Sequence, residues 1–299
     1  MAETRRSRRS RGAKKPPSRK LSPLMIALCI LCAAVFLFAG YKIVTILLAY
    51  NEGQSTYDEL SQYVSLDKIS LNQAEQTLQN QQTQTGDIIP PSGDKSGLTN
   101  WDALDQNKDA SDLPVVNFAA LQEINDDVVG WIFFPTMDIN YPVVQGPNND
   151  HYVHRMFTGK SNGAGSIFMD YRNMSDMSDP HTILYGHHMN DGSMFAKLTQ
   201  YKKEGFFEEH PTFLYITPDA YYEVEIISAY TCATTDNAWK LDFSSDSDVE
   251  NWVNSILRRA RFDAGYAYES GDQFMTLSTC TYDFENARYV VTGVMRKIA

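Results

Sequence analysis

The sequence predicts a closed or nearly closed mixed β-barrel of about eight short strands, with one long helix set into it and an apolar helix ahead of it. Three observations carry that expectation. Eight short runs rich in apolar and β-branched residues follow residue 113, most of them with no helical pattern between. The segment between the sixth and seventh runs has instead a single apolar face at helical spacing. Residues 24–41 form an 18-residue stretch without a charge, soon after an arginine-rich arm.

The arm comes first. Residues 1–20 carry nine basic residues against Glu3 alone, whereas 51–299 holds 16 basic and 36 acidic residues. A basic arm is able to bind nucleic acid, but the segment behind it points to a membrane. About 20 helical residues cross a bilayer core, and the apolar character of 24–41 continues past Lys42 to Tyr50. Lys42 can snorkel to the interface. The positive-inside bias puts the arm in the cytoplasm and residue 51 onward outside. The rival, a cleaved signal peptide, is shorter and ends in a small-x-small site, which is not evident here. The expected organisation is a basic cytoplasmic arm over 1–22, a transmembrane helix over 23–50, a helical stalk and flexible spacer over 51–112, and the barrel domain over 113–299.

Within 51–82, Tyr57, Leu60, Val64 and Leu71 recur at loosely helical spacing, and 83–113 is rich in Gly, Pro, Ser, Asp and Lys, as a spacer would be. A short helix is predicted over 118–124. Strands follow over 128–134, 139–144, 164–169, 182–186, 212–217 and 221–230, the last two joined by the turn formers Pro218-Asp219-Ala220. Val249, Trp252, Val253, Ile256, Leu257 and Ala260 then mark the long helix. Ser247 with Glu250 reads as its capping box, and Arg258, Arg259 and Arg261 suit its C-terminal end. Strands over 274–280 and 289–295, linked by 281–287, complete the set.

Those last two strands carry the chemistry. Their antiparallel pairing sets Arg288 at the start of one across from Cys280 at the end of the other. A fixed guanidinium beside a thiol favours the thiolate, the nucleophilic form. The strand 183–186 ends in His187 and His188, a possible acid/base. Asp283 is an accessory candidate for orienting a histidine, as a triad member would. Of the four cysteines, Cys29 and Cys32 sit in the apolar helix as packing residues. Cys232 reads as a buried strand residue, although a Cys232–Cys280 disulfide is the ordinary pairing for an exported chain. The six histidines (151, 154, 181, 187, 188 and 210) show no tight ligand spacing with cysteine, so no metal is expected. No phosphate loop or dinucleotide fingerprint is present, and no cofactor is implied.

Thr276-Leu277-Ser278-Thr279-Cys280, with Arg288 and Tyr185-Gly186-His187, resembles the sortases, and more narrowly class B sortases, over roughly 115–297. Asn190-Asp191-Gly192-Ser193-Met194-Phe195 is similar too. The resemblance implies a membrane-anchored cysteine transpeptidase of Gram-positive bacteria, with a helix inserted just before the cysteine strand. It implies Cys280, His187 and Arg288 as catalytic residues, His187 being chosen over His188 because it directly follows the glycine. It also implies that Ser278, Thr279 and Tyr185 contact the sorting peptide. The expected activity is cleavage of a C-terminal sorting motif of secreted proteins through a Cys280 thioester. The acyl group then passes to a cell-wall precursor amine or a pilin lysine. A membrane-tethered cysteine hydrolase and a non-catalytic envelope binding scaffold are the alternatives.

Overall fold

A computed structural model describes residues 22–65 and 113–299. The chain divides into two compact units, Met1–Leu47 and Leu48–Ala299. Helix α1 (Pro23–Leu60) begins in the first, where apart from Lys42 it carries no charge on any side; Leu24, Phe36 and Leu37 are 76–80% exposed, which no core helix of a water-soluble fold would be. Among the described residues α1 is the one helix long and apolar enough to cross a membrane.

In the second unit, the end of α1 packs on the barrel. Tyr57 and Leu60 are buried, and the Tyr57 hydroxyl donates to the Gly165 carbonyl at 2.5 Å. The helix stops at Leu60, and Val64 enters β1 (Val64–Ser65), which pairs antiparallel with β2 (Val115–Val116). The helical spacing read through Val64 is thus interrupted, because Val64 fills the barrel core from a strand. Residues 66–112 and the arm over 1–21 lie outside the described residues. Helix α2 (Phe118–Ile124) follows, its first turn capped by Asn117, whose Oδ1 accepts from the Ala120 N–H at 3.0 Å.

The barrel strands are β3 (Val128–Phe133), β4 (Asn140–Val144), β5 (Ile167–Met169), β6 (His181–Tyr185), β7 (Thr212–Ile216), β8 (Tyr221–Ala233), β9 (Gln273–Cys280) and β10 (Ala287–Lys297), with the one-turn helix α3 (Phe206–Glu209) before β7 and α4 (Asp246–Leu257) before β9. They close in the order β10-β8-β7-β3-β4-β5-β6-β9. The β4–β5 and β6–β9 pairs are parallel and the others antiparallel. This is the mixed eight-stranded barrel the sequence predicts. Strand β5 starts later than residue 164 because Gly165 has φ +58°, and a Cβ there would sit 2.3 Å from the Val153 carbonyl oxygen.

Alternation along the strands sorts side chains onto two faces. Met275, Leu277, Tyr289 and Val291 fill the interior. Phe274, Val290 and Val294 face outward with Cys232, and α4 covers them with Val249, Trp252, Val253 and Ile256. Burying each such large side chain contributes roughly 1.5–3 kcal/mol, so α4 is held by its apolar stripe. Its cap is Ser245, not Ser247. Ser245 has an extended backbone and its Oγ accepts from the Asp248 N–H at 3.2 Å, whereas Ser247 already lies in the first turn.

The β9–β10–β8 register also decides the cysteine pairing. Arg288 is the Cα partner of Cys280 on one side and of Cys232 on the other. Two strand spacings of about 4.8 Å separate the cysteines, beyond the ~7 Å a disulfide spans. Both thiols are free. Cys232 is buried, and that burial, reinforced by the Asp236 charge, pushes its pKa up to about 12. Iodoacetamide applied to the native full-length protein in detergent should therefore modify Cys280 and spare Cys232, read by peptide mass mapping. A Cys232–Cys280 crosslinked peptide, or preferential labelling of Cys232, would contradict this register.

Candidate active site

The sheet register brings the sequence-predicted residues to one barrel edge. Arg288 and Cys280 are direct antiparallel partners. On the other side of β9, Tyr185 is the parallel partner of Ser278, and the Gly186 N–H donates to the Ser278 carbonyl at 3.1 Å. The paired register ends at Tyr185 and Ser278, so His187 follows β6 at the barrel edge where β9 ends in Cys280, and Tyr185, Ser278 and Arg288 share the outward face. Gly186 lacks a side chain for a packing reason. A Cβ would meet Ile167 Cδ1 at 2.4 Å and the Phe195 ring at 2.7 Å, so the chain leading to His187 lies flat on the core.

His187 is half-buried. Its Nε2 lies 2.6 Å from the Val153 carbonyl oxygen, which can only accept, so Nε2 carries the hydrogen and Nδ1 is the nitrogen left to exchange a proton. The ring stacks on His154, centroids 5.6 Å apart. Burial lowers the His187 pKa, and the His154 charge acts the same way against the opposing pull of the Val153 carbonyl. His188 has a different environment. Its ring packs edge-on against Tyr282 at 5.6 Å, and His188 bridges to Met194. Burial lowers its pKa, with the Lys202 charge adding to the shift and the Cys280 carbonyl opposing it.

Asp283 is not turned toward the His187 ring bond. Its Oδ2 accepts from Lys202 at 2.5 Å, Thr231 at 2.7 Å and Thr281 at 3.2 Å, and the Lys202 hydrogen bond leads in holding its carboxyl below the usual range. The acceptor that fixes His187 is a backbone carbonyl instead. Thr279 also differs from the expectation of peptide contact. Alternation turns its side chain inward beside Tyr289; it is 2% exposed, and its Oγ1 has no hydrogen-bond partner among the described residues.

Tyr185, Ser278 and Arg288 line one cleft together with Arg172, Asp236 and Trp239. The Trp239 indole N–H donates to Ser278 Oγ at 3.2 Å. The Tyr185 hydroxyl donates to Asp170 at 2.9 Å, so it is the ring of Tyr185, not the hydroxyl, that remains for a ligand. Asp170 is fully buried and gripped by Arg172 through two bonds of 2.8 and 2.9 Å. Burial pushes the Asp170 pKa up, but the bonds from Arg172, Asn149 and Tyr185 prevail and hold it below the ordinary value.

Asp170, Arg172, Trp239 and the Val153 carbonyl escape a reading of the sequence alone. The only local signal is Asp170 and Arg172 two apart just after a strand, a spacing common in turns. His181 is a fifth such residue, fully enclosed in the barrel wall. Its Nδ1 lies 2.7 Å from the Lys240 carbonyl oxygen and its Nε2 2.7 Å from Thr276 Oγ1. Burial lowers its pKa to about 4. The fold therefore holds it neutral while the unfolded chain takes up a proton below about 6.5. Stability contributed by neutral His181 should fall as pH drops from about 6.5 toward 4, by up to about tenfold in the folding equilibrium per pH unit. Urea-unfolding midpoints across that range would show it as a slope that His181→Asn lacks; parallel slopes in the two proteins would contradict it.

Comparison with known proteins gives this geometry its family. A family model described as the sortase domain matches residues 132–296. Sortase B of Listeria monocytogenes is 30% identical over 269 residues, which are 89% of this chain and 94% of that protein. The solved Staphylococcus aureus sortase B–substrate complex is 36% identical with a TM-score of 0.58, covering 61% of this chain and 85% of the other. A solved sortase B complexed with triglycine aligns at the same identity and TM-score, covering 61% and 86%. A cysteine at the end of β9, an arginine as its register partner and a histidine just beyond β6 thus sit in a barrel shared with these proteins, and the chain belongs to the sortase family, in its class B, and is a cysteine transpeptidase.

Proposed function

We propose that Cys280 attacks the scissile carbonyl of a sorting motif near the C-terminus of a secreted protein. The register pairing of Cys280 with Arg288 is the observation that carries this reading. The Cys280 thiolate adds to the carbonyl carbon, and the Arg288 guanidinium stabilises the negative oxygen that develops or holds the peptide backbone beside it. Collapse of the tetrahedral intermediate breaks the C–N bond, and protonated His187 delivers its Nδ1 proton to the departing amine. The acyl group is then a thioester on Cys280. An incoming amine attacks it, gives its surplus proton to His187, and expels the thiolate as a new amide forms. The acceptor is an amine of the cell wall or of a pilin; a sortase B solved with triglycine supports an acceptor bearing a free terminal amine.

The peptide lies in the cleft lined by Tyr185, Ser278 and Trp239, a reading supported by the solved relative that is a substrate complex. Residues 23–50 cross the membrane, with the arm over 1–22 in the cytoplasm and the catalytic domain, 113–299, outside, where secreted proteins and wall amines are found. Residues 51–112 connect the two.

Full-length protein in detergent, incubated with a randomised octapeptide pool and triglycine, should form an acyl adduct on Cys280 and a peptide–triglycine amide, both read by mass spectrometry. Cys280→Ala, His187→Ala and Arg288→Ala should each lower joining by roughly 10²-fold or more without changing the thermal transition. Wild-type turnover in any one of them would withdraw that residue's role. Product that carries only water at its new end, whatever the triglycine concentration, would favour the hydrolase.

A further inference from the structure

We propose that His181 is a positioning residue for the peptide cleft: it pins the β8–α4 connection to the barrel wall and so sets the Trp239 indole beside Ser278. This rests on the reading that the cleft receives the sorting peptide.

The hydrogen-bond directions follow from one fixed end. The Lys240 carbonyl can only accept, so His181 Nδ1 donates to it. In the neutral ring Nε2 must then accept, which makes Thr276 the donor. The Thr276 oxygen lies 2.8 Å from the Thr292 hydroxyl, which donates to it. The chain Thr292–Thr276–His181–Lys240 therefore runs from β10 through β9 and β6 into the connection, each hydroxyl and both ring nitrogens engaged.

The place where it ends matters. Lys240 directly follows Trp239, and Trp239 donates to Ser278, two residues from Thr276 on the same face of β9. The connection is thus pinned to β9 twice, by an indole and through an imidazole. Its other ties lead to α4 and to Arg259, two residues beyond it: Trp252 Nε1 donates to the Asn237 carbonyl at 3.0 Å, Arg259 holds Asp236 at 2.6 Å, and Lys240 pairs with Asp248. Those bonds fix the connection to its own layer. His181 and Trp239 fix it to the strand that carries Cys280. An aliphatic residue would fill a buried strand position without the desolvation that a polar ring suffers there. Imidazole alone among side chains presents a donor and an acceptor at opposite ends of a rigid ring, the span needed between a hydroxyl and a carbonyl. Trp252 covers that ring, centroids 4.4 Å apart.

Two substitutions separate positioning from bulk stability. An asparagine amide reaches the place of Nδ1, and a glutamine amide reaches that of Nε2. His181→Asn keeps the donor toward Lys240 and loses Thr276; His181→Gln does the reverse. The probe is the octapeptide that the wild-type full-length protein in detergent joins fastest to triglycine. His181→Gln should raise its KM roughly tenfold, with kcat within about twofold. Amides over 237–243 should exchange hydrogen faster in the same variant, and His181→Asn should match wild type in both. Trp239→Ala should raise KM at least as much. If Trp239→Ala raises KM while His181→Gln changes neither KM nor exchange, the inference is overturned and the cleft reading stands. Equal effects of the Asn and Gln variants on KM and exchange would also overturn it. An unchanged KM in Trp239→Ala removes the cleft reading, and the inference with it.

Discussion

Strand β9 has a neighbour on each side, parallel β6 and antiparallel β10, and its register with both is set by an interior that admits only one parity. Met275 and Leu277 are fully buried in the main core, Tyr289 and Val291 answer them from β10, and Leu184 does so from β6. A slip of one residue would drive Phe274, Thr276 and Ser278 into that core and turn Cys280 inward. The apolar alternation that stabilises the barrel is therefore what points the thiol and the guanidinium outward at one edge, whereas the imidazole just beyond β6 is fixed by the Val153 carbonyl. No separate energy is needed to gather them, because the cost is already met by the burial of their neighbours.

The outer face needs a second layer. Phe274, Val290 and Val294 would stand in water without α4, and the β8–α4 connection that leads into this helix also forms a wall of the cleft. Packing and recognition are thus coupled. Trp252 buries against Phe274 and His181 while its indole nitrogen holds Asn237, and Trp239 comes to rest on Ser278. Most buried polar groups in folded proteins are hydrogen-bonded, and His181 is engaged at both nitrogens.

Three histidines on or just beyond β6 illustrate how environment assigns roles. His181, inside the wall, is kept neutral by burial. His187, at the edge, has Nε2 fixed by the Val153 carbonyl. His188, of opposite parity, meets Tyr282 of the β9–β10 loop. Buried Asp170 plays a comparable part for Tyr185, holding the hydroxyl so that the ring faces the cleft. None of these differences depends on residue type.

Alternation and periodicity were enough to read eight strands, the α4 stripe, the apolar helix and the opposition of Cys280 to Arg288, because those follow from spacing along the chain. The choice of His187 over His188 came from the resemblance to a family. The cap of α4 was misplaced by two residues, since Ser245 and Ser247 are alike until the backbone angle of each is known. Thr279 neighbours Cys280 in the sequence, but its parity, the same as that of Leu277, sends its side chain inside. Asp283, an accessory candidate in the sequence, is met by Lys202, which a 3₁₀ turn of helix far away in the chain supplies. The Val153 carbonyl contact, the Asp170–Tyr185 bond and the His181–Lys240 tie join residues 15 to 59 positions apart, and two of them use backbone atoms that every residue possesses. Spacing along one strand or helix is a local property that the chain carries with it. Which distant carbonyl or carboxylate meets a given ring is decided only when the barrel closes.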